Sequence, residues 1–330
     1  MRILIDLGGA HDLAYSLYLL LEKRLGHTVY FPRGAEWFDA GFFNYNDDRD
    51  WCHQWLTKCV TGYSAKHEWP QRAISLEDFS SLEFGAVLSA EQWNERPFQK
   101  LIAERAPKAK HIRHVGNPGP GDNALKAHGA ANVITSVWPG AGGDTASIDL
   151  GTASNSVFAH QEFDLGVYRY EPPTAFNVVS MFQRQSLDGA DPHAWGMVGD
   201  LFERRTYSDI TGTYLNDQRA IAKAMADSTF IFQAKIYEGE GGHLTHNALA
   251  CGRPLICRRS YYVGPMHALL VDGLTCVDLD QDNPAVRAKA YASDPAKLME
   301  MAEATHAAFV AHCDYAAEAE QVRAFMERLA

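Results

Sequence analysis

The chain of 330 residues lacks the long apolar segment that a membrane protein needs. No apolar run approaches the roughly 18 residues that cross a bilayer. At the N-terminus only Arg2 precedes a short apolar run, and Asp6 already interrupts it, which is typical of a buried first strand and not of a signal peptide. We therefore expect a cytoplasmic protein without a membrane span.

Cysteine pairs and zinc motifs are also missing. The six cysteines form no C-x-x-C pair and are scattered through segments that have the composition of a protein core. They are Cys52, Cys59, Cys251, Cys257, Cys276 and Cys313. This pattern is typical of a reduced protein, and since no Cys/His cluster has ligand spacing, we expect no metal site.

Positive charge is in deficit, with 30 Lys and Arg against 41 Asp and Glu and a net charge of −11. This balance argues against a surface devoted to nucleic acid. One basic cluster lies at Lys100, Arg105, Lys108, Lys110 and Arg113, although such a run is usually a solvated helix face. The two D-x-D tripeptides, at residues 48–50 and 278–280, are interpreted as solvated turns.

The segments that are present predict two α/β halves. A strand at residues 2–6, leucines at helical spacing and a strand at residues 28–31 form a βαβ opening, which implies a parallel sheet. Glu171-Pro172-Pro173 is the best candidate hinge, and a second βα series begins after it. The aromatic segment 34–70 is either an insertion that contacts a substrate or a small helical subdomain.

The most informative segment is an acidic, glycine-rich loop that precedes a short helix. The loop consists of Glu238, Gly239, Glu240, Gly241 and Gly242, and a buried strand is predicted at residues 254–257. Glycines let the backbone approach a ligand, and the start of a helix presents N–H groups to phosphate. Carboxylates accept hydrogen bonds from sugar or ribose hydroxyls, so this order of parts indicates a site for a phosphorylated sugar nucleotide.

This segment resembles the donor-binding motif of GT-B glycosyltransferases, above all family 4, with the pattern E-G-x-G, E-A-M-A-C-G-x-P-V-I and D-G-x-x-G. The chain has EGEG at residues 238–241, NALACGRPLI at residues 247–256 and Asp272-Gly273. Asn247 stands where the family has its ribose-binding glutamate, one residue later than usual, and His246 occupies the ordinary spacing. Both are therefore candidate donor-binding residues. Lys235 and Arg184 are candidate cations for the diphosphate.

The N-terminus is similar to the same family. Gly8-Gly9-Ala10-His11 and Gly26-His27-Thr28-Val29 resemble its G-G-x-x and G-H-x-V segments. The resemblance implies that Gly8 and Gly9 lie against the donor diphosphate and the acceptor, and that His11 and Asp12 are candidates for a catalytic base or an acceptor contact. His114, at a strand end, falls where the family often places a histidine that contacts the transferred sugar. The structural alternative is that His11 and His114 are packing residues.

The resemblance implies a GT-B fold, in which two Rossmann-like domains face each other across a cleft. It places an acceptor domain at residues 1–170, a donor domain at 171–305 and a helix at 306–330 that packs back toward the first domain. The implied activity is the metal-independent, retaining transfer of a hexose from a UDP-sugar such as UDP-glucose, with Glu238 among the catalytic residues and no cofactor. The acceptor is a hydroxyl on a glycan, a small molecule or modified DNA, since phage DNA glucosyltransferases share this domain plan.

Two other functions stay open. A catalytically inactive sugar-nucleotide-binding or structural protein of the same fold is favoured by the loss of the motif glutamate. A nicotinamide-dependent oxidoreductase is the third alternative, although no G-x-G-x-x-G follows the first strand.

Overall fold

The computed structural model describes residues 1–6, 11–32, 73–90, 95–115, 131–136, 153–183, 192–208, 212–213, 215, 217–234 and 242–329. The chain divides into two compact units. The first consists of Met1–Phe163 with Tyr315–Ala330, and the second of Asp164–Asp314. The sequence places the domain boundaries at 170/171 and 305/306. The hinge segment belongs to the second unit, where the Arg253 guanidinium donates a hydrogen bond to the carbonyl oxygen of Glu171.

The first unit contains a seven-stranded sheet in the order β3-β2-β1-β4-β5-β6-β7. All its pairs are parallel, which confirms the parallel sheet expected from the βαβ opening. The strands are β1 (Arg2–Asp6), β2 (Thr28–Pro32), β3 (Ala73–Ile74), β4 (Ala86–Ala90), β5 (Lys110–Val115), β6 (Asn132–Thr135) and β7 (Asn155–Phe158). The helices are α1 (His11–Tyr18), which continues as a π-helical segment over Leu19–Arg24, α2 (Leu76–Ser81) and α3 (Glu95–Arg105).

The second unit contains a five-stranded parallel sheet in the order β12-β11-β10-β8-β9. Its strands are β8 (Val178–Gln183), β9 (Glu203–Ser208), β10 (Phe230–Phe232), β11 (Leu255–Cys257) and β12 (Cys276–Asp278). Its helices are α4 (Pro192–Gly199), α5 (Gln218–Ala226), α6 (His243–Ala250), α7 (Gly264–Leu269), α8 (Pro284–Ala292) and α9 (Pro295–His312), with a 3-10 turn at Arg259–Tyr261.

The last helix, α10 (Tyr315–Glu327), belongs to the first unit. Val322 and Phe325 are fully buried in that unit's core. The Asn155 side chain donates a hydrogen bond to the carbonyl oxygen of Phe325 at 3.1 Å. The buried Glu318 carboxylate accepts from the backbone N–H of His160 at 2.8 Å and lies 2.6 Å from Nδ1 of the same residue. Apolar burial and buried polar contacts therefore both fix α10 to the first sheet.

The central strands are buried on both faces. Ile3, Leu4 and Ile5 of β1 have no exposed surface, and neither have Phe230 and Phe232 of β10. Continuous apolar runs of this kind are typical of parallel sheets that are covered by helices on both sides. Among the described residues, no helix combines the length and the apolar character that crossing a membrane requires.

Candidate functional site

The strand order places a topological switch point at the centre of the second sheet. From β8 the chain moves to the edge strand β9, and from β10 it moves in the other direction to β11. Ligands of open α/β sheets bind outside the carboxyl ends of the strands at such a point. Arg184 is the residue directly after β8, and Lys235 follows β10 after two residues. Both predicted diphosphate cations therefore follow the two strands that flank the switch point.

The first sheet has its own switch point between β1 and β4. Gly8 and Gly9 come shortly after the end of β1. His11 and Asp12 are the first two residues of α1. The glycines predicted to approach the diphosphate thus follow the strand at which the topology favours a ligand.

Several predicted site residues lie outside the described residues, and their roles stay predictions. They are Gly8, Gly9, Arg184, Lys235, Glu238, Gly239, Glu240 and Gly241. For His11 and Asp12 only the backbone is described. Gly242, His246, Asn247 and His114 are described in full.

Helix α6 begins at the acidic loop, with Gly242 as its N-cap residue. A glycine has no side chain to cap the helix, and within the described part of the chain no side-chain hydrogen bond caps this one. The backbone N–H groups of a first helical turn have no intrahelical acceptor, and the helix dipole gives that end a partial positive charge. The start of α6 is therefore suited to bind an anion.

Asn247 is the buried polar residue of this helix that best fits a ligand contact. It lies in the second turn of α6 and is only 6% exposed. Its amide oxygen Oδ1 is buried and has no hydrogen-bond partner among the described residues. A buried acceptor without a donor costs about 1–3 kcal/mol, so a group with a hydroxyl would satisfy it. The Asn247 amide can thus accept the hydrogen bond that the resemblance assigns to a glutamate.

His246 faces a different neighbour. Its ring lies 5.8 Å from the ring of His312 with an angle of 9° between the planes, and its Nδ1 lies 3.2 Å from the carbonyl oxygen of Gly242. His312 is the last residue of α9, so His246 contributes to the packing of α6 against α9. Adjacent helix residues project about 100° apart, so His246 and Asn247 can have different partners.

His114 lies near the carboxyl end of β5, beside β6. It is 1% exposed, and burial lowers its pKa from 6.5 to about 3. Its Nε2 lies 3.1 Å from the hydroxyl of Ser136, which directly follows β6, and its buried Nδ1 has no hydrogen-bond partner among the described residues. The imidazole is therefore neutral at pH 7. Because its conjugate acid has such a low pKa, the ring is a weak general base. Its chemistry suits a hydrogen bond to a neutral hydroxyl.

The predicted Asp-Gly turn is a supporting structure for β12. The Asp272 carboxylate accepts from the backbone N–H of Asp278 at 2.8 Å and pairs with Arg287. Gly273 has a φ of +73°, a conformation that favours glycine. Asp278 is 2% exposed and accepts from backbone N–H groups, so the interpretation of residues 278–280 as a solvated turn was wrong for this residue. The other D-x-D tripeptide, at residues 48–50, lies outside the described residues.

The basic cluster of the first unit is not a continuous positive surface. Lys100 pairs with Glu104 at 3.7 Å, and Lys108 pairs with Glu83 at 3.1 Å. Arg113 is 3% exposed, because it lies on a central strand of the sheet. Ion pairing and burial thus remove much of the charge that would favour a nucleic-acid contact.

Comparison with known proteins finds similarity in structure alone. No protein-family model and no curated protein matches the sequence. A solved α-glucosyltransferase in complex with UDP-glucose and DNA containing an abasic site superposes with a TM-score of 0.66 at 13% identity, over 99% of this chain and 100% of that one. The chain has the GT-B fold. Anabaena HepE in complex with UDP gives a TM-score of 0.60 at 13% identity over 100% of both chains. A variant of S. aureus TarM with UDP and glycan ligands gives 0.53 at 12% identity, over 76% of this chain and 58% of that one.

One polar contact in each unit was not predicted from the sequence. Ser136, the partner of His114, lies 22 positions away in sequence, so no local motif links the two residues. Arg253 occupies the variable position of the C-G-x-P segment, yet it is fully buried and donates to the carbonyl oxygens of Glu171, Cys251 and Ala226. The sequence shows only that this arginine stands between a glycine that ends a helix and a predicted buried strand.

Proposed function

We propose that the protein is a glycosyltransferase, most similar to family 4, that moves a sugar from a nucleotide-diphosphate donor to a hydroxyl acceptor. The observation that carries this proposal is the amide oxygen of Asn247, on the helix that follows the acidic glycine-rich loop, which is buried and has no hydrogen-bond partner among the described residues. Its position beside the switch point of the second sheet supports the same conclusion. Solved structures with the same fold contain UDP or UDP-glucose, which favours a UDP-sugar, with UDP-glucose as the first candidate.

In this proposal the second unit holds the donor. Asn247 Oδ1 accepts a hydrogen bond from a ribose hydroxyl. Lys235 and Arg184 neutralise the diphosphate. The backbone N–H groups of the loop glycines at residues 239, 241 and 242 and those at the start of α6 donate hydrogen bonds to it. Glu238 accepts from hydroxyls of the transferred sugar. His246 is assigned to the contact with α9 and not to the donor.

The first unit carries Gly8, Gly9, His11, Asp12 and His114, to which the family resemblance gives contacts with the diphosphate, the sugar and the acceptor. Since His114 is neutral, we assign it a hydrogen bond to a sugar hydroxyl. His11 or Asp12 is the better candidate for the group that takes the acceptor proton, because the low pKa of His114 makes that residue a weak base.

In the reaction, the bond between the sugar C1 and the diphosphate oxygen breaks and a bond from C1 to the acceptor oxygen forms. The sugar passes through an oxocarbenium-like state, and negative charge grows on the leaving diphosphate. Lys235 and the positive end of the α6 dipole stabilise that charge without a metal ion. We further propose that the configuration at C1 is retained, as the family resemblance implies.

A glycan or small-molecule hydroxyl is the acceptor that we favour. Some solved structures of the same fold contain DNA, including a 13-mer with an HMU base, so modified DNA is the second candidate. The net charge of −11 and the ion pairs of Lys100 and Lys108 count against it.

The test is calorimetric titration of the full-length protein with a panel of nucleotide sugars, followed by assays of donor hydrolysis and of transfer to glycans and hydroxymethylated duplex DNA. Asn247→Ala removes the proposed ribose contact and should weaken donor binding by about 5- to 30-fold, the equivalent of about 1–2 kcal/mol. Asn247→Asp keeps an acceptor oxygen and should bind more tightly than the alanine variant. Glu300→Ala, on the exposed face of α9, is the matched control and should bind like the parent protein.

The outcomes separate the alternatives. Binding of a donor without hydrolysis or transfer to any acceptor would favour the catalytically inactive protein of the same fold. Absence of binding to every nucleotide sugar would refute the proposal, and a spectral titration with NADH would then test the oxidoreductase.

A further inference from the structure

Three side chains with metal-binding atoms meet at the contact between α6 and α9 in the second unit. They are His246 on α6, His312 at the end of α9 and the adjacent Cys313, and their ligand atoms lie within 4.8 Å of one another. His246 and Cys313 are each only 8% exposed. Because His312 comes 66 positions after His246, no zinc spacing is visible in the sequence.

The helices run antiparallel where the three residues meet. Nδ1 of His306 lies 2.9 Å from the carbonyl oxygen of Ala250 at the end of α6, whereas His312, nearly two turns later on α9, stacks on His246 near the start of α6. The backbone of both helices therefore holds the two imidazoles side by side. Cys313 is the C-cap residue of α9, with its N–H bonded to the carbonyl oxygen of Phe309 at 2.9 Å, so its side chain starts from a fixed position.

His246 has the orientation of a metal-binding histidine. Its Nδ1 lies 3.2 Å from the carbonyl oxygen of Gly242. When Nδ1 carries the proton and donates to that oxygen, the lone pair is on Nε2, which is the usual arrangement for an imidazole that binds a metal ion. The backbone at the start of α6 thus selects the tautomer that a metal requires.

We propose that His246, His312 and Cys313 bind one Zn²⁺ ion, which links the start of α6 to the end of α9. Two imidazoles and a thiolate are a donor set that zinc favours, and one further ligand completes the tetrahedron. Around a tetrahedral zinc ion, ligand atoms at the usual bond lengths lie about 3.3–3.6 Å apart, so small side-chain rotations close the present arrangement. On binding, the Cys313 Sγ–H bond breaks, its proton is released and an S–Zn bond forms, with no redox change. The ion is structural, and it takes no part in the transfer step proposed above.

The test uses full-length protein that has been stripped with a chelator and titrated with Co²⁺ and then Zn²⁺. We expect one equivalent of Co²⁺ to give the intense visible bands of a tetrahedral site and a near-ultraviolet thiolate-to-cobalt band, both abolished by one equivalent of Zn²⁺. Cys313→Ser should remove the thiolate band. His312→Asn and Cys313→Ser should each lower the zinc affinity, measured by chelator competition, by more than the roughly 10- to 100-fold that loss of an outer-shell partner causes.

Two controls fix the site. Cys276→Ala removes a buried thiol elsewhere in the same unit, and His193→Ala removes an exposed histidine on α4, so both should bind metal like the parent protein. The proposal is overturned if the folded parent protein binds no stoichiometric Co²⁺ or Zn²⁺, or if the thiolate band persists in Cys313→Ser. The first result requires no variant to fold. None of these readouts requires a nucleotide sugar, so failure of the zinc proposal and failure of the proposed function are distinguishable.

Discussion

Replacement of Arg253 by methionine should strongly destabilise the second unit. The Arg253 side chain has no exposed surface, and its Nη1 donates to the carbonyl oxygens of Glu171 at 2.8 Å and Cys251 at 2.9 Å. Its Nη2 donates to the carbonyl oxygen of Ala226 at 2.9 Å. Ala226 ends α5 and Cys251 is the C-cap of α6, so the cation lies at the negative ends of two helix dipoles. Burial lowers the pKa of Arg253, and these carbonyl groups offset the desolvation of its charge.

The size of the stability loss follows from the backbone carbonyl oxygens that lose their hydrogen-bond donor. A hydrogen bond to a charged group contributes about 1.5–3 kcal/mol. Arg253→Met loses the bonds to the carbonyl oxygens of Glu171, Cys251 and Ala226, and a longer bond of 3.3 Å to that of Gly252. Methionine fills part of the volume and buries apolar surface, and the bonds share one side chain, so their contributions do not add. We expect a loss of about 3–5 kcal/mol, the range for breaking a buried charged contact. Because each 1.4 kcal/mol is a factor of ten, amides of β10 and β11 should exchange from about 100-fold to several thousand-fold faster.

Hydrogen exchange followed by mass spectrometry measures this change strand by strand, which suits a protein with two units. The matched control is Arg169→Met. Arg169 is exposed and pairs with the carboxylate of Glu171 at 3.1 Å, and a surface pair of this kind contributes at most about 1 kcal/mol. If Arg253→Met changed the exchange of β10 and β11 no more than Arg169→Met does, the structural role assigned to the buried guanidinium would be refuted.

Two further predictions concern single residues. Gly252→Ala should lower the free energy of unfolding in urea by more than about 3 kcal/mol, and Gly26→Ala by only about 1 kcal/mol. Both glycines have a positive φ, but only at Gly252 would a Cβ lie 2.5 Å from the Tyr170 ring. Equal losses for the two variants would contradict this. His114 has a folded pKa of about 3 against 6.5, so as pH falls below 6.5 the unfolded state binds a proton that the folded state does not bind until about pH 3. The first unit should therefore lose about 2 kcal/mol of stability between pH 7 and pH 5 through this residue. Over that range the urea midpoint of His114→Gln should fall less than that of the parent protein. Parallel pH profiles of the two proteins would exclude this role.

The sequence predicts much of the fold because the central strands are short apolar runs between clear helix boundaries. The strand at residues 2–6 agrees residue for residue with β1, and the strand at residues 28–31 agrees with β2 except for its last residue. The edge strand β9 (Glu203–Ser208) was missed, since its sequence ERRTYS has no apolar alternation. It forms because it pairs in parallel with all six residues of β8, a tertiary contact that no local pattern shows.

The sequence proposes the candidate site as a set of motif positions but not as a set of contacts. The E-G-x-G and C-G-x-P segments bracket α6 correctly, because glycines and proline fix where the helix starts and ends. Spacing alone could not show whether His246 and Asn247 contact the same ligand. The neighbour that each side chain meets depends on how α9 packs against α6. His312 comes 66 residues after His246, so only the folded chain shows that His246 faces α9.

An amide in place of the motif glutamate would weaken the proposed donor contact but still allow it. A ribose diol offers both hydrogens and lone pairs, and an amide can accept one hydrogen while donating another. A carboxylate would make the stronger, charge-assisted bond, but it would also place a negative charge on the helix that is proposed to bind the diphosphate. Burial adds to that cost, because Asn247 is 6% exposed and its Oδ1 has no partner among the described residues. The neutral side chain at position 247 is therefore compatible with donor binding, and the loss of the glutamate alone is weak evidence for an inactive protein.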